Sequence, residues 1–391
     1  MYVLRDYQQQ AADTGVDYFL DKKQTKPVLA IIPTAGGKSH VMADIACRLD
    51  APTLIFQPTK EILLQNYNKL IGTGAMGVTI YSASMKSKEI GNITLATIGS
   101  VYNNLNNFKS FKYIIIDECH LFSAKPSMYR SFFDAVGSKM IGFSATPWRQ
   151  STDGYGGTIM KFLTRTNPRV FSKVIHVTQI KELLDAGYLA KTEYYSINGF
   201  NRSEIKLNST GADYDEASER MYYDNIRYKD RILKVVNRLL SIGKTKIIVF
   251  TKFVKESEEL SVALGDIACH VSSSMPTETR DSNFKGFKNG KYKVLFNVGI
   301  TKLGYDFPEL EVEVDTCPTR SLTNWMQKGG RVMRTHPNKK SGWIVDMCNN
   351  IETFGKIEDM EIVQRGGDNL WCVMSKGKQL TNVYLDEIMK D

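Results

Sequence analysis

Short, almost uninterrupted apolar runs recur through the first half of the chain: Val28–Ile32, Thr53–Phe56, Val78–Tyr81, Ile93–Ala96, Tyr113–Ile116 and Met140–Phe143. A strand with one wet face alternates apolar and polar residues. Runs without that alternation suit strands covered on both faces, as in a parallel sheet packed between helices. Between the first two runs, Lys38–Leu49 places Val41, Ile45 and Leu49 at steps of four, a single helical stripe. Strand and helix signals that alternate in this way predict a doubly wound α/β domain.

The pattern breaks over 150–170, rich in Gly, Thr and basic residues, and again over the polar stretch 198–219. It then restarts with a helical stretch, Tyr222–Leu240, and strand-like Ile247–Phe250, Ala268–Val271, Val294–Phe296, Glu311–Val314 and Trp343–Val345. The expected organisation is a domain over 1–170, a linker with surface loops over 171–220, a second α/β domain over 221–365 and a small element over 366–391. At 391 residues the chain can bury two cores without disulfides.

No apolar run approaches the roughly 18 residues that a membrane helix needs. The start, MYVLRDYQQQ, has no apolar signal core, so an intracellular, cytoplasmic location is expected. The 6 cysteines are scattered without a CxxC pair, which suits free thiols in a reduced compartment. Lys and Arg number 51 against 42 acids, a net charge of +9 that fits a polyanionic partner.

The first apolar run leads through Pro33-Thr34-Ala35-Gly36-Gly37-Lys38-Ser39 into the predicted helix. Small residues let backbone N–H groups wrap phosphates, while the helix start turns its positive end towards them. Lys38 would reach the β and γ phosphates and Ser39 would hold Mg²⁺. Ile32 stands where the strict pattern has glycine. The run Tyr113–Ile116 ends in Asp117-Glu118-Cys119-His120, acids at the edge of a parallel sheet where ligands gather. Asp117 is placed for Mg²⁺ and Glu118 for orienting or deprotonating a water. Ser144-Ala145-Thr146 follows the next strand. Later, Gln327-Lys328-Gly329-Gly330-Arg331-Val332-Met333-Arg334 sets two arginines three apart, on one helical face if the segment is helical. Arginines offered to a γ-phosphate from a second domain would stabilise transition-state charge.

Together these motifs resemble the superfamily 2 helicases, in family order over nearly the whole chain. Leu4-Arg5-Asp6-Tyr7-Gln8 resembles the adenine-reading element, with Gln8 on the base edge. Thr34, Ala35, Gly36, Gly37, Lys38 and Ser39 match motif I, and Gln57–Glu61 with Gln65 matches motif Ia. Ala96–Ser100 matches the next strand-contacting motif, Asp117–His120 a DExH motif II, and Phe143–Pro147 with Arg149 motif III. Val249–Thr251 resembles motif IV, Asn297–Pro308 motif V and Gln327–Arg334 motif VI. The resemblance implies an α/β fold of two tandem RecA-like domains, each a mainly parallel sheet flanked by helices. It implies ATP and Mg²⁺ held by these motifs, with Arg5 beside Gln8, and with Gly304 and Asp306 on nucleotide. Gln327, Arg331 and Arg334 would face the γ-phosphate, while His120, Ser144 and Thr146 couple hydrolysis to movement. Thr59, Lys60, Thr97, Gly99 and Thr301 would touch the backbone of a nucleic-acid strand.

Ile180–Leu189, the DECH form, the Asn-Val start of motif V and Phe354–Asp359 resemble RadD-type and phage UvsW-like DNA helicases. RadD-type proteins continue into a Cys-rich zinc module. Here Trp371–Lys378 resembles a degenerate zinc-ribbon remnant, with Ser375 where a second cysteine would stand, and zinc is not expected. The implied function is an ATP-dependent DNA helicase or translocase on single-stranded, forked or branched DNA, in replication, recombination or repair. A monomer is expected, with replication or recombination proteins as partners and the host cytoplasm as location if a phage encodes it. Two alternatives stand at this point: a duplex DNA translocase or a remodeller of RNA or protein–DNA complexes with the same fold, and a nucleotide-gated DNA-binding module with little motor activity.

Overall fold

The computed structural model describes residues 3–122, 127–152, 157–299, 307–367 and 370–389. The chain divides into two units. One comprises Met1–Arg149, Lys161–Ile180 and Glu361–Val373; the other comprises Gln150–Met160, Lys181–Met360 and Met374–Asp391.

In the first unit, strands β1 (Val28–Ile31), β2 (Thr53–Phe56), β3 (Val78–Ser82), β4 (Ser87–Lys88), β5 (Ile93–Ala96), β6 (Tyr113–Ile116) and β7 (Lys139–Ser144) belong to one sheet. β8 (Trp148–Thr152) and β9 (Thr158–Phe162) form a separate two-stranded sheet, and β10 (Lys173–Val177) returns to the first. The eight-stranded order is β10-β1-β7-β6-β2-β5-β3-β4. All pairs run parallel except β3 with β4. Both faces are covered, as the unalternated runs require. Val28, Ala30, Ile55, Ile115, Ile141 and Phe143 pack with Ala12, Val16 and Phe19 of α1 (Asp6–Leu20) and with Val41 and Ile45 of α2 (Lys38–Arg48). On the opposite face, Phe56 meets Phe132 edge-on at 4.9 Å. Phe132 belongs to α5 (Met128–Val136); α3 (Lys60–Gly72) and the single turn α4 (Ile98–Val101) complete the helices before it.

The stretch 171–220 contains β10, the short helix α6 (Ile180–Asp185), β11 (Thr192–Ser196) and the start of α7 (Glu216–Asn225). The sequence alone reads it as linker and loops because its strands lack a fully apolar run, and in the structure none of their residues is fully buried. The helical stretch expected over 222–240 is two helices, α7 and α8 (Tyr228–Ser241). Arg227 breaks it in the left-handed region, at φ 49°. The break lets Tyr222, Tyr223 and Tyr228 all pack around Phe200.

The second unit holds β11 together with β12 (Ile247–Thr251), β13 (Ala268–Ser272), β14 (Val294–Val298), β15 (Val312–Asp315) and β16 (Gly342–Asp346). Their order is β11-β16-β15-β12-β14-β13, parallel throughout. Helices α9 (Val254–Leu264), α10 (Thr277–Lys288), α11 (Leu322–Gly329) and α12 (Asn350–Phe354) lie along this part of the chain. Its main core gathers Ile247, Val249, Val294, Phe296, Val312 and Val314 with Tyr228, Ile232 and Val236 of α8. β17 (Met360–Gln364), β18 (Trp371–Ser375) and β19 (Lys378–Gln379) form a three-stranded sheet before the last helix, α13 (Leu385–Ile388). Cys372 is buried within β18. Among the described residues, no helix is long and apolar enough to cross a membrane.

Candidate active site

The turn between β1 and α2 is shaped by backbone that most side chains avoid: Ala35 has φ 66° and Gly37 φ 80°. A Cβ on Gly37 would also run into the amide of Gln8. Two residues of α1 brace the turn from below. Gln8 Nε2 donates to Gly36 O at 3.1 Å and Tyr7 OH donates to the same oxygen at 2.8 Å. Gln8 Oε1 accepts from Arg5 N at 3.0 Å, so both polar ends of the glutamine engage the protein. Tyr7 was not singled out by sequence reasoning, because its role depends on a bond across 29 positions. The first amides of α2, those of Lys38 and Ser39, have no acceptor within the helix. Thr34 and Ser39 are half-buried beside them. Backbone donors, a lysine and the helix start converge here, which suits an anionic phosphate chain.

β6 lies two strands from β1, with β7 between them. Its end brings Asp117 and Glu118 to the same edge as the turn. Lys38 Nζ donates to Glu118 Oε1 at 2.6 Å, the ion pair at the centre of the site. Burial works against the Lys38 ammonium, but the facing charges of Glu118 and Asp117 outweigh it and raise its pKa above the ordinary lysine value. Burial likewise opposes charge on Glu118, yet Lys38 and the bond from His120 hold this carboxyl well below the usual glutamate range. Asp117 behaves oppositely: burial pushes its pKa up to about 6, against the pull of Lys38. The backbone N of Glu118 also donates to Asp117 Oδ1 at 2.9 Å, and Glu118 itself sits in the left-handed region at φ 48°.

From Glu118 a buried polar chain runs into β7. His120 Nδ1 stands 3.2 Å from Glu118 Oε2, 3.0 Å from Ser144 Oγ and 3.5 Å from Thr146 Oγ1. Thr146 N in turn donates to Ser144 Oγ at 3.0 Å. Ser144 O accepts from Ile32 N, at 3.3 Å, just ahead of the phosphate turn. Acid, histidine and hydroxyls therefore gather around one ring nitrogen, all within 3.5 Å of His120 Nδ1.

Of the residues expected to touch a nucleic-acid strand, Thr59, Lys60, Thr97 and Gly99 stand after neighbouring strands at this same carboxyl edge, where Phe56 of β2 pairs with Ala96 of β5. Thr59 caps α3, its Oγ1 accepting from Ile62 N at 3.3 Å, and Lys60 is exposed on the first turn. Thr97 shares a hydrogen bond of 2.9 Å with Ser100, and Gly99 is exposed with open space around it.

In the second unit, Thr301, Gly304 and Asp306 lie outside the described residues. Gln327 is half-buried on α11. Arg331 and Arg334 do not share a helical face. α11 stops at Gly329, with Gly330 as its cap, and the arginines follow in a turn that ends on an antiparallel bridge between Leu189 and Arg334. Glycine carries little helix preference, and the close fit at Gly329 explains the stop: a Cβ there would collide with Ile344 and Ile357. Arg331 is buried and Arg334 half-buried.

Residues 1–149 match the family model "Type III restriction enzyme, res subunit", and residues 230–336 match "Helicase conserved C-terminal domain". The chain belongs to the superfamily 2 helicases. The chain is 26% identical over 330 residues to a 51.5 kDa protein of Lactococcus phage isolate 7-9, covering 83% of this chain and 66% of that one. It is 23% identical to the DNA 3'-5' translocase XPB2 of Sulfurisphaera tokodaii, over 85% of this chain and 78% of the relative. The fold is similar to that of the ATP-dependent Type ISP restriction-modification enzyme LlaBIII bound to DNA. That match has a TM-score of 0.62 at 16% identity and covers 89% of this chain and 28% of that one. This helicase spans between 43% and 66% of the length of the first curated relatives it matches.

Proposed function

We propose that this chain is an ATP-driven motor on DNA, and that it separates strands at forked or branched substrates in the manner of the RadD-type and UvsW-like branch. The observation that carries the reading is the Lys38–Glu118 pair at the mouth of the phosphate turn, tied through His120 to Ser144 and Thr146. A triphosphate seated on the first amides of α2 would compete with Glu118 for Lys38. Glu118, released from its counter-ion, would then be able to orient and deprotonate water. His120, bonded to the same carboxylate, transmits that release to the motif III hydroxyls. Ser39 and Asp117 are the residues that would hold Mg²⁺, whose charge would offset that of the phosphates. Arg331 and Arg334 are the residues of the second unit proposed to act on the transferred phosphate.

DNA as the track is supported by the net charge of +9 and by the names of two relatives, one a DNA translocase and one a restriction-modification enzyme bound to DNA. Thr59, Lys60, Thr97, Gly99 and Thr301 are proposed to hold the strand through its phosphates, a grip without sequence preference. The first of those names, a translocase, favours a second reading, which we take as movement along duplex DNA without strand separation. A strand-displacement assay with ATP and Mg²⁺, comparing forked DNA, blunt duplex and RNA, tests the two. Release of the labelled strand from forks, and from neither blunt duplex nor RNA, is the expected result. Displacement of a triplex-forming strand from blunt duplex, with forks left intact, would favour translocation alone.

A further inference from the structure

The end of α11 carries a lysine that the reading above leaves unused. Lys328 is buried, and its Nζ donates to Asp315 Oδ1 at 2.7 Å. Asp315 closes β15 and is fully buried. Its Oδ1 also accepts from Cys317 N at 3.2 Å, and its Oδ2 accepts from Asn350 Nδ2 at 2.9 Å. Asn350 is held in turn by Arg202, which donates to its Oδ1, to Cys348 O at 2.6 Å and to Thr353 Oγ1 at 2.8 Å. A continuous polar path thus runs from Arg202 through the interior of the second unit to the base of the arginine turn.

Glu313 stands two residues before Asp315 on the same face of β15, opposite the face on which Val312 and Val314 enter the main core. It is fully buried, and neither carboxylate oxygen finds a hydrogen-bond partner. Burial first, and the Asp315 charge second, push its pKa well above the ordinary range. Asp315, at 2.7 Å, and not Glu313 is the carboxyl group that meets Lys328.

A buried ion pair is a weak source of stability, since a well-packed apolar pair of the same shape often serves as well or better. What the pair adds is direction. Lys328 is immediately followed by Gly329, whose missing side chain lets the helix end press against Ile344 and Ile357, and then by the cap Gly330 and Arg331. On the far side of Arg331, Lys339 Nζ donates to Val332 O at 3.0 Å, to Pro308 O at 2.9 Å and to Leu310 O at 3.1 Å. Arg331 is thus held between two lysine anchors.

We propose that Lys328 is a positioning residue for Arg331: its bond to Asp315 fixes where the chain leaves α11 and hence where the guanidinium stands. The inference rests on the reading of Arg331 as a group that acts on the γ-phosphate. Steady-state ATP hydrolysis and thermal melting of the full chain test it, with Lys328→Met, Asp315→Asn, the double variant and Arg331→Ala. Lys328→Met leaves Asp315 as an uncompensated buried charge and should melt early. The double variant removes both charges and should melt near wild type. Its turnover is nevertheless expected to fall at least about 10-fold, with KM for ATP changed by less than about 3-fold. If the double variant melts below the assay temperature, Lys328→Gln is held to the same split between kcat and KM. Wild-type kcat in a variant with wild-type melting would overturn the assignment and leave Lys328 a purely structural residue. Arg331→Ala separates the two levels. Full turnover in that variant removes the underlying reading, whereas an inactive Arg331→Ala beside a fully active double variant removes the role of Lys328 alone.

Discussion

Glu256, on the first turn of α9, is buried among Lys229, Glu219, Asp224 and Arg220, and its Oε2 has no hydrogen-bond partner. Burial raises its pKa to about 7, and Lys229 only partly offsets the effect. Below the ordinary glutamate value both folded and unfolded chains carry the proton, so the residue is neutral to stability. As pH rises to 7 the unfolded chain loses the proton first, and the native state is progressively disfavoured. Glu256→Gln should therefore stabilise the protein on the order of 2–3 kcal/mol near pH 8, and the gain should vanish near about pH 4.5. Chemical denaturation of both proteins at the two pH values measures it. A gain independent of pH would contradict the burial argument. At the same scale, the Lys38–Glu118 pair and the Tyr7 brace differ in how they could be found. The lysine and the acid stand in recognisable local patterns, whereas nothing local marks Tyr7.

Elements were legible wherever the local pattern matched the final environment. The apolar runs that became β1, β2, β5, β6 and β7 are central strands covered on both faces, so hydrophobicity alone identified them. β10 and β11 sit at the ends of their sheets with no residue fully buried, and there local pattern does not separate strand from loop. The helical spacing of Arg331 and Arg334 misled because the close fit of Gly329 against Ile344 and Ile357 is a long-range fact. The Lys328–Asp315 pair joins residues 13 apart across a strand and a helix, and no local signal announces it. A comparable constraint lies within β7. Gly142 faces Cys119 and Phe171 so closely that a Cβ would come within 2.7 Å of both. β7 also carries Ser144, so crowding there disturbs stability and the polar chain from Glu118 together. Gly142→Ala should cost about 1–3 kcal/mol of stability, read by equilibrium denaturation. An unchanged midpoint would mean that the strand has room the structure does not show.

For the molecule as a whole, Arg331 and Arg334 of the second unit follow α11, whereas the first unit places its candidate functional residues after the ends of parallel strands. That is where such sheets ordinarily bind ligands. The first unit offers a phosphate turn, an acid pair and a histidine relay at one edge, with Thr59 and Thr97 at the same edge after β2 and β5. On the proposed reading, nucleotide and nucleic-acid strand would be held through one sheet, an arrangement suited to coupling hydrolysis to movement. The second unit contributes a fixed arginine turn. The most direct test of this account is the steady-state rate of ATP hydrolysis by wild type, Lys38→Ala and Glu118→Gln, with and without single-stranded DNA. The account predicts that DNA stimulates the wild type, and that each variant, still folded by circular dichroism, falls by at least about 100-fold with DNA present. Wild-type turnover in Glu118→Gln, or a wild-type rate indifferent to DNA, would contradict it.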